Sequence, residues 1–142
     1  MELSESQITL ILHIRAENAK TRAWVDEDPD NRMAFTAIDN AEHWAKYGVT
    51  SVAEFKLYNA RAELWDWYKE VHGIRPRWMN VWDMSLEEVE EELAALRRYS
   101  EMLARDEAAR EEAEKAATQR EADLLSESPK LENPVLTEFF LK

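Results

Sequence analysis

The three histidines, His13, His43 and His72, are the first side chains to test for acid–base or metal chemistry, and none stands at HxxxH or HxxH spacing with another. A catalytic or metal-binding role would need tertiary convergence. The simpler reading puts His43 on a helix surface and His72 at a helix C-terminus, where an imidazolium complements the dipole. Among the carboxylates, Asp66 lies between Trp65 and Trp67, an environment that can raise a carboxyl pKa. Successive helix positions diverge by about 100°, so at least one of the two indoles is expected to face outward, and a catalytic acid here is the weaker reading. The most pointed polar feature is Arg75-Pro76-Arg77-Trp78, with Trp82 close behind. Guanidinium groups pair bidentately with carboxylate or phosphate and stack on aromatic rings. The run either reads an anionic group on a partner or clamps nearby acids such as Glu70, Asp83, Glu87 and Glu88.

Composition narrows the chemistry further. The 142 residues contain no Cys and 2 Gly. Thiol nucleophiles, Cys-ligated zinc, iron–sulfur clusters and Gly-rich phosphate loops are therefore excluded. No metal, cofactor or enzymatic activity is expected. With 18 Lys+Arg against 30 Asp+Glu the formal net charge is -12, which opposes direct binding to nucleic acid or an anionic membrane. The acidity is uneven. Residues 1–84 hold 14 acids and 10 bases, residues 85–127 hold 14 acids and 6 bases, and residues 128–142 are neutral. No run of 18 apolar residues occurs, and Met1-Glu2-Leu3-Ser4-Glu5 lacks the basic start of a signal peptide. A soluble, cytoplasmic protein is expected.

The elements that must carry these residues read as helices. Ser4-x-x-Gln7 has capping-box spacing, and Ile8, Ile11, Leu12, Arg15 and Ala19 follow at helical intervals, predicting a helix over about 5–24. Pro29 after an acidic run suits the first turn of a second helix over about 31–47, carrying Met33, Phe35, Ile38, Ala41, Trp44 and Tyr47 and closed by Gly48. Ser51 and Glu54 form a second capping box for a third helix ending at His72-Gly73. Residues 74–84 read as a compact aromatic turn, with Pro76 biasing Arg75 toward extended backbone.

Ser85 with Glu87 and Glu88 opens the last helix. Leu86, Val89, Leu93, Leu96, Ser100 and Leu103 make a heptad seam of the kind that supports self-association, after which almost no apolar face remains. If continuous to Ser126, this helix spans about 40 residues, or about 60 Å. Its distal half must then project, pack on a partner or fray. The 14 acids of residues 85–127 could imitate nucleic-acid phosphate; the 6 interspersed bases dilute that likeness. The expected organisation is all-α: a helical body over 1–104, a projecting charged helix over 105–127 and a C-terminal tail over 128–142.

The tail ends in Asn133-Pro134-Val135-Leu136-Thr137-Glu138-Phe139-Phe140-Leu141-Lys142. Its Leu136, Phe139 and Phe140 either fold onto the body or dock on another protein, because apolar groups are costly to leave in water. The spacing resembles a sliding-clamp-binding peptide, with Asn133 where Gln usually leads.

The segment Tyr68-Lys69-Glu70-Val71-His72-Gly73-Ile74-Arg75-Pro76-Arg77, followed by Met84-Ser85-Leu86-Glu87-Glu88 and preceded by Trp44-Ala45-Lys46-Tyr47-Gly48-Val49-Thr50-Ser51, resembles small acidic accessory proteins of tailed bacteriophages over about residues 40–100. The resemblance implies a phage or prophage origin and a cytoplasmic role in an infected bacterium, and supplies no catalytic residue. The expectation is a non-enzymatic factor that inhibits or redirects a host protein or protein complex, one that handles nucleic acid being a candidate. It would occlude a basic functional surface through Arg75, Arg77, Trp78 and Trp82 at one contact and Leu136, Phe139 and Phe140 at another. The alternatives are an assembly protein that oligomerises through the 86–103 seam, or a replication or transcription adaptor whose tail binds a clamp.

Overall fold

A computed structural model describes residues 2–127, and among them the chain is all-α, with no strand. Helix α1 spans Glu5–Glu27 and opens on the capping box foreseen at Ser4 and Gln7. The Gln7 N–H donates to Ser4 Oγ at 3.2 Å and the Ser4 N–H donates to Gln7 Oε1 at 2.9 Å. Helix α2 is Ala41–Ala45, α3 is Val52–His72 and α4 is Leu86–Glu127. Two 3-10 turns, Arg77–Met79 and Val81–Asp83, lie between α3 and α4.

The second helix is the main departure from sequence expectation. Residues 32–40 are not helical, and α2 has only five residues. Three hydrogen-bonding arrangements, two local and one tertiary, override the apolar spacing. Asp28 closes a turn by accepting the N–H groups of Asn31 and Arg32, so Pro29 belongs to that turn and not to a helix start. Asn18, on α1, takes both backbone groups of Ala37: its Nδ2 donates to the Ala37 carbonyl at 2.8 Å and its Oδ1 accepts the Ala37 N–H at 2.9 Å. Asn40 then caps α2, accepting from the N–H groups of Glu42 and His43, a role for which Asn is favoured. The outcome is an extended strap tied to α1.

Gly73 caps α3 as anticipated, whereas α2 already ends at Ala45 with Lys46 as its cap and Gly48 lies in the turn that follows. Gly48 and Gly73 adopt φ of +73° and +80°, the left-handed region that L side chains avoid. At the start of α3 the Glu54 N–H donates to Ser51 Oγ at 3.2 Å. The return contact differs from a strict capping box: Glu54 Oε1 accepts from the Thr50 and Ser51 hydroxyls, each at 3.0 Å. These hydroxyls, Thr50 first, hold the Glu54 carboxyl below its ordinary pKa.

The chain divides into two units, the first ending at Leu96 and the second beginning at Arg97. The first has two buried clusters. Leu10, Ile11 and Ile14 of α1 meet Ala41, Trp44, Val49 and Phe55. Leu64 of α3 meets Val81, Val89, Leu93 and Leu96. The seam anticipated on α4 is thus partly consumed internally: Val89, Leu93 and Leu96 are buried, while Leu86 and Leu103 are exposed. In the second unit, every residue from 101 to 127 is exposed. Among the described residues no helix is long and apolar enough to cross a membrane.

Candidate functional site

The Arg-Pro-Arg-Trp run is shaped by its own chemistry. Pro76 is buried, and the chain turns twice around Asn80, whose φ of 49° puts a non-glycine residue in the left-handed region. Asn tolerates that conformation better than most side chains. Arg61 of α3 fixes the far end, its Nε donating to the Met84 carbonyl at 2.9 Å. That carbonyl directly precedes Ser85, whose Oγ accepts the Glu88 N–H at the start of α4. One α3 arginine therefore anchors both the aromatic turn and the entry to α4.

Arg75 is engaged inside the molecule. Its Nη1 pairs with Asp66 at 2.8 Å, and its guanidinium lies 5.6 Å from the Trp65 ring centroid. The acid that clamps it is Asp66 of α3, not the Glu70, Asp83, Glu87 or Glu88 favoured by proximity in sequence. Both Trp65 and Trp67 are half-buried, and Asp66 is the outward-facing member of the trio. Sequence spacing had pointed to an exposed indole. Packing of both indoles against the Leu64 cluster leaves the carboxylate as the solvated group.

Arg77 and Trp78 remain exposed. With Lys69, Gly73, Ile74 and Arg75 they line an open cleft of about 450 Å³. Three cationic side chains therefore border one cleft on an acidic protein. Arg77 makes no ion pair among the described residues, so its planar fork is available to a carboxylate on a partner. Trp78 is oriented by an edge-on contact with Tyr68, ring centroids 5.6 Å apart, and Tyr68 in turn lies 4.4 Å from His72.

Trp82 lies outside this cleft. Its ring packs at 5.4 Å on Tyr58, which also contacts Trp44 and Tyr47. Tyr58 and Tyr68 are ten residues apart on α3, a rise of about 15 Å. Trp78 and Trp82 are thus anchored at separate points of one helix, and the single contact surface expected for them splits into a cationic cleft and an aromatic ridge with Tyr47. Leu136, Phe139 and Phe140 lie outside the described residues.

The histidines are accounted for by packing. His13 meets Phe55 edge-on at 6.1 Å, and His43 contacts Trp44 and Tyr47 at 5.1 and 5.4 Å. Among the described residues no three His, Asp or Glu side chains cluster as a metal site. Sequence reasoning missed Asn18 and Arg61. Asn18 had a readable signal: a polar residue at the helical interval that continues Leu10, Ile11 and Ile14, and it is buried with them. Arg61 had none.

Comparison with family models, with curated proteins and with solved structures finds no match to this chain.

Proposed function

We propose that this chain is a non-enzymatic protein-binding factor, encoded by a phage or prophage, that inhibits or redirects a bacterial host complex by covering a basic functional surface. The observation that carries this reading is α4. From residue 101 to residue 127 none of its side chains is buried, and residues 85–127 hold 14 acids against 6 bases. From residue 104 to residue 123 its only apolar side chains are Ala, so that stretch has no large apolar face with which to join a core, and the field of the helix favours fast association with a positively charged partner. The Arg77 fork, without an ion pair among the described residues, and the exposed Trp78 add a local anchor, since Arg and Trp recur among the side chains that dominate interface energetics. The phage origin rests on the resemblance over residues 40–100, and the cytoplasmic setting follows from it.

The oligomeric alternative has less to offer. Val89, Leu93 and Leu96 are buried within the chain's own first unit, which leaves Leu86, Ser100 and Leu103 of the 86–103 seam. The clamp-binding alternative rests on the tail sequence.

The test is affinity purification of the tagged chain from a bacterial host, as wild type, as Arg77→Glu/Trp78→Ala and as a truncation lacking residues 130–142. The expected result is a host protein that is retained at low salt, released at high salt and weakened by the double substitution. A sliding clamp recovered only with the tail intact would establish the adaptor alternative. Recovery of no host protein with any form would overturn both.

A further inference from the structure

Met33 and Phe35 are the most exposed large apolar side chains among the described residues, at 81% and 90%. The backbone that carries them is held on both sides. Before them, Arg32 Nη1 donates to the Trp24 carbonyl and pairs with Glu27, both at 2.8 Å, while its guanidinium sits 4.8 Å from the Trp24 ring centroid. After them, Ala37 is fixed by Asn18, and the Ile38 carbonyl accepts the Trp44 indole N–H at 2.6 Å. Residues 33–36 between these anchors are all exposed. The segment is a prong presented in a set conformation, which lowers the ordering cost of binding.

The charges around the prong select its partner. Asp26, Asp28 and Asp30 precede it. Residues 26–39 hold Asp26, Glu27, Asp28, Asp30 and Asp39 against Arg32 alone, which Glu27 already matches at 2.8 Å. Anionic lipid and nucleic acid are repelled by such a surface. A second copy would bring the same carboxylates face to face. A protein with an apolar pocket ringed by Lys and Arg satisfies both the prong and its rim.

We propose that Met33 and Phe35 form an acidic-flanked docking prong that inserts into a basic-rimmed apolar pocket of a partner protein. The proposal rests on the protein-binding reading above but uses a different surface from Arg77 and Trp78.

The test places the photocrosslinker p-benzoylphenylalanine at position 35 of the full chain, and separately at position 78, with irradiation in the bacterial host. The expected result is a position-35 adduct with a protein whose crosslinked peptide maps to an apolar pocket bordered by Lys or Arg. The affinity of that complex should fall about tenfold or more in Met33→Ser/Phe35→Ser. It should also fall when salt rises from about 0.05 M to about 0.5 M. The double variant should melt at the wild-type temperature, because neither side chain is buried. An adduct with a second copy of the chain, with lipid or with nucleic acid, or an affinity indifferent to the double substitution, overturns the proposal. An adduct from position 78 alone overturns the prong while leaving the protein-binding reading standing; no adduct from either position overturns both.

Discussion

Asn18 and Ala37 hold each other through two hydrogen bonds, the side-chain amide of one serving both backbone groups of the other at 2.8 and 2.9 Å. Asn18 is 6% exposed. This amide takes the place of a strand partner and keeps residues 32–40 extended against α1. Asn18→Leu should destabilise the first unit by about 1–3 kcal/mol, because the Ala37 groups lose their partner and the new side chain cannot replace it. Denaturant unfolding measures that loss. Limited proteolysis should also cut between residues 32 and 40 faster than in the wild type.

Arg75 and Asp66 form a pair whose carboxylate side chain is 70% exposed. Asp66→Asn should therefore cost no more than about 1 kcal/mol. Arg75→Ala should cost more, by about 0.5–1 kcal/mol, since it also removes the contact over Trp65. A larger loss in Asp66→Asn than in Arg75→Ala, measured by urea unfolding, would contradict this order.

Asn80 sets the direction of the chain between Trp78 and Trp82. Asn80→Gly should be neutral or slightly stabilising, whereas Asn80→Val should cost about 1–2 kcal/mol because a β-branched residue resists φ of 49°. Near-ultraviolet circular dichroism should change in the Val variant, as the two indoles are repositioned.

A proline in α4 separates the two units experimentally. Ala113→Pro should reduce the helical signal at 222 nm, since an interior proline costs about 3 kcal/mol in an exposed helix. All six tryptophans precede Leu96. The thermal transition followed by tryptophan fluorescence should therefore stay where it is, and a marked shift would mean that the core depends on residues 97–127.

Glu54 gives α3 a pH dependence of known sign. Its folded pKa is lowered by the Thr50 and Ser51 hydroxyls. The charged form is thus favoured in the folded state, and its contribution is present above the unfolded pKa and lost as pH falls through the folded one. The stability difference between wild type and Glu54→Gln should be largest near neutrality and shrink in the acidic range below the ordinary carboxyl pKa. Because the group is exposed, the effect is small. Parallel unfolding curves at neutral and acidic pH would measure it.

The sequence by itself determined the helices whose signals are local. Ser4, Ser51 and Ser85 cap α1, α3 and α4 because the groups they satisfy lie three residues away, and Gly73 ends α3 because only the backbone conformation at that position is at stake. The all-α class and the uneven acidity follow from the same short-range information. Tertiary structure decided the rest. The apolar spacing of Met33, Phe35, Ile38 and Ala41 suits a helix, yet an amide nineteen residues earlier binds Ala37 and an indole six residues later binds Ile38. Likewise, only the fold assigned Arg75 to Asp66, bound Arg61 to Met84 and parted Trp78 from Trp82. A hydrogen-bonding group buried with its partner outweighs a local propensity of a few tenths of a kcal/mol per residue, and nothing in the spacing of a segment records which distant group will meet it.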